Sequence, residues 1–291
     1  MRAVPIIIIF LLLLSQSCYQ VQTKNIESIH TINENQIIKI TDTAGKILIT
    51  RFNPPNGYQR TEVDSSSFAY YLRHLPLKPA GSLVKIYNGS TKPNDNIYEA
   101  VVNLPIGKHD LHQCADAIMR LRAEYLWRKG DFEKIHFNLT NGFRVDYTQW
   151  MEGKRIAVKG NKTYWIDKYS PSNTYEDFWK YMELIFTYAG TLSLSKELKH
   201  AETDSMEIGD IFIFGGSPGH SVIVVDMAIK PQTGEKVFML AQSYMPAQEI
   251  QILKNNENTA INPWYSTKLV DGLITPECYF NTEELMRFDD E

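Results

Sequence analysis

Cys114, His220 and Gln242 are residue types that together can carry acyl transfer. A thiol in the first turn of a helix sits in partial positive charge, which lowers its pKa and favours the nucleophilic thiolate. An imidazole beside it can take the thiol proton and later return it to a leaving group. The backbone N–H of such a cysteine has no partner within the helix and can donate to an oxyanion. A polar side chain on the strand after the histidine can hold the ring or donate to the oxyanion; Gln242 is the first candidate for it and Ser243 the second. Two plainer readings of Cys114 stand beside this one. It can be a small buried residue on an amphipathic helix, as free cysteines often are, or it can join Cys278 in a disulfide in an oxidising compartment.

Two other constellations carry less. Residues 215–219, "GGSPG", match Gly-x-Ser-x-Gly, but that motif needs a helix after the serine, and Pro218 with a β-rich run follows. Ser217 is therefore set aside. His109 and His112 share one helical face, yet no third ligand follows at metal-ligand spacing, so both are expected exposed at a helix entry. No metal or cofactor is expected.

The elements that must position the three residues are legible in outline. In "KHDLHQCADAIMRLRAEYLWRKG" the residues Leu111, Cys114, Ala115, Ile118, Leu121 and Tyr125 recur at three- and four-residue steps, which predicts a helix. Asp110 is its expected N-cap and Gly130 its expected stop. "GDIFIFGGSPGHSVIVVD", residues 209 to 226, splits two apolar runs with a Gly/Pro loop and predicts strands over 211–214 and 221–229. Gly219 before His220 would let a substrate approach the backbone. After the turn "KPQTGEK" comes a strand over 237–243. A hairpin centred there pairs positions summing to about 465, which sets His220 opposite about residue 245. A register shift of two or three brings Gln242 to Tyr244 alongside it. Asp226 lies six residues on, roughly 20 Å away at the rise of a strand, and is too far to orient the ring.

Elsewhere, "SSSFAYYLRHL" reads as a short serine-capped helix. "TYEDFWKYMELIFTYAGTLSL" reads as a longer one, with Phe178, Tyr181, Met182, Ile185 and Phe186 inward and a stop near Gly190. "KILIT", "SLVKIYNG", "YEAVVNL" and "MPAQEIQIL" read as strands, and "HFNLTNGFRVDYTQWMEG" as strand and turn, then loop. Trp150, Trp165 and Trp179 are expected in the core or lining a glycan cleft. Helices first and an antiparallel meander afterwards is an α+β order.

The segment "GDIFIF", a Gly-rich loop and "GHSVIVVD" resembles the Gly-Asp-strand-loop-His-strand segment of CHAP amidases and NlpC-type cysteine peptidases. That resemblance implies a papain-like arrangement, with the nucleophilic cysteine at a helix amino end where Cys114 stands, and a cell-wall peptide or glycopeptide as substrate. The chain departs from the NlpC pattern in carrying Gln113 and Ala115 around the cysteine, where Asp-Cys-Ser is usual. Over roughly residues 50 to 285, "HQCADAIMRLRAEYL", "YAGTLSL", "PGHSVIVVD" and "LAQSYMPAQEIQILKN" together resemble the domain of unknown function 4846. That is an uncharacterised bacterial family with many lipoprotein-like members.

Composition limits the partners. The 291 residues, 43% hydrophobic, can bury one substantial core or two small ones. A net charge of −4 without any basic stripe argues against nucleic acid. Arg2 precedes "VPIIIIFLLLL", an apolar run ending at Leu14 that is too short to span a bilayer and suits a signal-peptide core. Cys18 follows at the position of a lipidated cysteine. The expected organisation is a signal peptide over 1–17, a tether over 18–50 and one α+β papain-like domain over 51–291. The chain is expected to be exported to the cell envelope and held to a bacterial membrane through a lipid anchor. Two functions follow. One is a cysteine hydrolase cleaving an amide bond in cell-wall peptide or muramoyl-peptide. The other is a non-catalytic surface lipoprotein that binds glycan or a protein partner on the same scaffold.

Overall fold

The computed structural model describes residues 39–289. The expected leader, Cys18 and the tether as far as residue 38 lie outside the described residues. The compact unit begins at Lys39, so residues 39–50 pack with the domain. "KILIT" forms a helical turn, α1 (Leu48–Arg51), instead of a strand. Leu48 is buried, and the Arg51 guanidinium donates to the carbonyls of Gly45 and Lys78, which curls the chain.

A nine-stranded antiparallel sheet is the frame. In chain order its first members are β1 (Gln59–Arg60) and β2 (Tyr98–Val101), with α2 (Phe68–Arg73) between them and capped by the Ser67 hydroxyl. Next come α3 (Cys114–Lys129), the hairpin of β3 (His136–Asn138) and β4 (Arg144–Asp146), and α4 (Tyr147–Met151). A second hairpin pairs β5 (Lys154–Lys159) with β6 (Lys162–Asp167). Helices α5 (Tyr175–Tyr188) and α6 (Thr191–Glu197) follow, then β7 (Lys199–His200), β8 (Ile211–Phe214), β9 (His220–Ile229) and β10 (Lys236–Gln242). The last strands are β11 (Gln251–Leu253), β12 (Tyr265–Ser266), the pair β13 (Leu273–Ile274) and β14 (Tyr279–Phe280), and β15 (Leu285–Arg287). The large sheet runs β2-β11-β10-β9-β8-β15-β7, with β1 added against β9 and β12 against β10.

β9 is buried on both faces, which is why "VIVV" reads as an unbroken apolar run. Ile223, Val225, Met239 and Ala241 meet Ala115 and Ile118 of α3 in one core layer. Val222, Val224, Phe238 and Leu240 point the other way, into a layer closed by Phe280, Leu273 and Leu285 from the C-terminal tail. The sheet therefore has a helix side and a tail side. α3 is buried nearly all round. The side chains of Arg120 and Glu124 are carried inside together, where Arg120 donates to the Pro105 carbonyl and the Tyr175 hydroxyl donates to Glu124.

Local rules failed at identifiable places. The N-cap of α3 is Gln113, because the Asp110 carboxylate accepts instead from the Ala247 N–H at 2.6 Å and from the Gln113 side chain. Gly130 does stop the helix, in the left-handed region at φ 81°. "SLVKIYNG" contributes only isolated bridges, Lys85 to Thr91 and Ile86 to Gln248. α4 replaces part of what reads as loop, and the β5–β6 hairpin falls on a stretch for which no element is read from the sequence. Among the described residues no helix is long and apolar enough to cross a membrane.

Candidate active site

Cys114 is the first residue of α3 and half-buried, with its thiol free. Cys278 is likewise a free thiol, so no disulfide joins the two. Cys114 lines an open cleft of about 350 Å³ together with Gln113, Asp116, Thr191, Ser217 and Met245. The cleft's far wall is the Gly-rich loop between β8 and β9. That loop packs so tightly that a Cβ at Gly219 would fall 2.2 Å from the Thr191 hydroxyl and 2.9 Å from the Gly216 nitrogen. Gly219 thus serves close approach of the chain to itself. Ser217 is followed by a strand rather than a helix.

The sulfur lies against Ser221, whose hydroxyl has no other partner. Burial pushes the Cys114 thiol above its ordinary value and the nearby Asp116 carboxyl adds to this. The Ala115 N–H and Ser221 oppose it without prevailing. Desolvation of the charged form outweighs the helix amino end here.

His220 opens β9 on the tail side of the sheet, its ring 6.0 Å from Phe280 and 5.0 Å from Tyr244. Ser221 faces the helix side because successive strand residues alternate. The sequence brings His220 and Gln242 together as a diagonal pair, with Nε2 of the ring 2.9 Å from Oε1 of the amide. The hairpin keeps the expected sum of 465 from Lys236/Ile229 to Met239/Asp226. A bulge after Met239 then shifts it by one, to Leu240/Val224. Among the described hydrogen bonds the ring's is with Gln242, and none joins it to the Cys114 sulfur. The sulfur therefore lies against Ser221 and the imidazole belongs to His220, neighbours at the start of β9 whose side chains leave opposite faces of the strand. Burial pushes the His220 pKa below its ordinary value. Gln242 and Glu277 pull it up and Lys92 pushes it down.

Two residues at this end, Glu277 and Lys92, carry no local signal in the sequence. Gln242 Nε2 donates to Glu277 Oε2 at 2.5 Å, and Lys92 Nζ reaches the same oxygen at 2.8 Å while lying 4.8 Å from the Tyr244 ring. Burial raises the Tyr244 pKa, and Glu277, Cys278 and Cys114 raise it further, so its hydroxyl senses both thiols. Ser221 could have been found from strand alternation once His220 was placed. Glu277 and Lys92 reach the site from distant segments, whereas Tyr244 lies two residues beyond Gln242 in the stretch that the hairpin register already sets beside His220. Ser243, the second candidate, is buried on the helix side and donates to the carbonyls of His112 and Gln248.

The remaining candidates fall elsewhere. Asp226 pairs with Arg73 and Arg60 at 2.6 and 2.7 Å, far along β9 from His220. His109 is exposed. His112, expected exposed, is fully buried with its ring edge-on to Phe186, and burial pushes its pKa down to about 3. Trp150 is core, and Trp165 and Trp179 pack half-buried against it. Among the described residues no three His, Cys, Asp or Glu side chains converge as a metal site.

The family model of domain of unknown function 4846 matches residues 48–287. The chain belongs to that family. No curated protein and no solved structure matches it.

Proposed function

We propose that this family member is an exported cysteine hydrolase that cleaves an amide bond, with cell-wall peptide or muramoyl-peptide as the substrate class. The carrying observation is a helix-first-turn thiol in an open cleft, against the residue that follows a glutamine-held histidine. In this reading the layout is papain-like. A lipid on Cys18 would hold the chain at the envelope membrane, and nucleic acid is no partner.

The chemistry follows from the protonation states. With the thiol pKa raised and the imidazole pKa lowered, the resting pair is neutral near pH 7. As Cys114 attacks the carbonyl carbon, its proton passes to the ring nitrogen of His220 that Gln242 leaves unengaged. This requires the ring to swing toward the helix side. The Cys114 N–H, first in its helix, stabilises the oxyanion. The carbon–nitrogen bond then breaks, the imidazolium protonates the departing amine, and a water deprotonated by the same ring hydrolyses the thioester. Cys114→Ala should abolish release of peptides from purified peptidoglycan while the far-UV circular dichroism is unchanged. Hydrolysis at the wild-type rate in that variant ends the proposal.

Two observations favour a second reading. His220 is turned to the tail side and the thiol is not activated. Both suit a non-catalytic lipoprotein whose cleft binds glycan or a protein partner. Absence of hydrolysis by the wild-type protein, with retained binding to peptidoglycan, would select it.

A further inference from the structure

We propose that Glu277 is a positioning residue that fixes the tautomer of His220 through the Gln242 amide, leaving Nδ1 as the bare ring nitrogen. A primary amide offers one accepting edge and one donating edge, and an ionised carboxylate only accepts. Glu277 at 2.5 Å therefore holds the N–H edge of Gln242. The amide oxygen is then forced toward the ring, 2.9 Å from Nε2. That oxygen can only accept, so Nε2 carries the hydrogen. A neutral imidazole has a single N–H, and Nδ1 is left with its lone pair.

Two further contacts keep Glu277 in this role. Lys92 places its ammonium 2.8 Å from the carboxylate, with both side chains largely buried. The loop carrying Glu277 is pinned on itself, since the Thr275 N–H donates to the Cys278 carbonyl and the Cys278 N–H donates to the Thr275 hydroxyl. Reversing the Gln242 amide would set its oxygen against the carboxylate, so the hydrogen bond to Glu277 would be lost inside the protein even if the ring changed tautomer to accept the amide N–H. Such a buried unmade bond is disfavoured. The catalytic consequence, a base already bare at Nδ1, rests on the hydrolase reading; the tautomer itself does not.

The test is long-range ¹H–¹⁵N correlation on full-length protein labelled at histidine nitrogens, with His220→Gln used for assignment. Wild type should show His220 as one neutral species, protonated at Nε2 and bare at Nδ1. A bare Nε2, or a mixture of tautomers, overturns the inference. In Glu277→Gln the new amide can present either edge to Gln242, so the second tautomer should rise to at least about a tenth of the population. Retention of a single tautomer in that variant removes Glu277 from the role. Should the lone buried Lys92 prevent folding, Lys92→Met with Glu277→Leu gives the same readout with the same two outcomes. No substrate is needed. An inert protein with protonated Nε2 sinks only the hydrolase proposal, and an active one with protonated Nδ1 sinks only this inference.

Discussion

Asp116 shares the first turn of α3 with Cys114 and holds a buried carboxyl group. One oxygen accepts the Gln113 N–H at 2.9 Å, and the other has no partner. Burial pushes its pKa from 3.8 up to about 8. Between those two values the native state holds a proton that the unfolded state has released. Unfolding stability must then fall as pH rises, by about 1.4 kcal/mol per pH unit. The stabilising contribution is complete below the unfolded pKa and is lost as pH rises through the folded one. Asp116→Asn keeps an acceptor for the Gln113 N–H and never ionises. The stability difference, variant minus wild type, should therefore grow by about 4 kcal/mol across the three units from about pH 4.5 to about pH 7.5, and level off above about pH 8. Urea unfolding of both proteins at half-unit pH intervals measures it. Subtraction removes the other titrating groups, among them Glu197, which burial pushes up to about 7. A difference that stays flat over that window would refute the burial argument and, with it, the account of why the neighbouring thiol is raised.

The thiol itself should be slow. Alkylation of Cys114 by iodoacetamide in folded protein should keep accelerating beyond pH 9, because burial and Asp116 favour the neutral form; a rate plateau reached by about pH 7.5 would contradict this. At the other end of β9, Asp226→Asn should cost about 3–5 kcal/mol in urea unfolding, since it strands two arginines, one of them buried, that now pair with a fully buried carboxylate. A loss under about 1 kcal/mol would mean that the pairs break even with their desolvation.

Much of the frame was written locally. The helix over Cys114–Lys129, its stop at Gly130, the strands over Ile211–Phe214 and His220–Ile229, and the hairpin register to within one residue follow from period, turn chemistry and pairing arithmetic. These signals are local because each depends on residues within a turn or a strand of one another. The pairing of His220 with Gln242 was reachable by the same means, since a hairpin of known centre fixes which residues meet. What was misread belongs to contacts from far away. Leu48 and Arg51 are drawn into a helical turn by the core and by the Lys78 carbonyl. Asp110 gives up its cap position to the Ala247 N–H, and His112 is buried under Phe186.

The sequence by itself determined a thiol at a helix amino end, a histidine at a strand start, and a glutamine across the hairpin from it. Only the tertiary structure decided on which side of the sheet each group lies. One-residue parity at the start of β9 sends Ser221 to the sulfur and His220 to the tail, and a single bulge after Met239 sets that end of the hairpin. The protonation states were decided there too, because desolvation depends on everything packed around a group. Lys92 and Glu277, 185 residues apart in the chain, meet at one carboxylate oxygen, a meeting that no local spacing encodes.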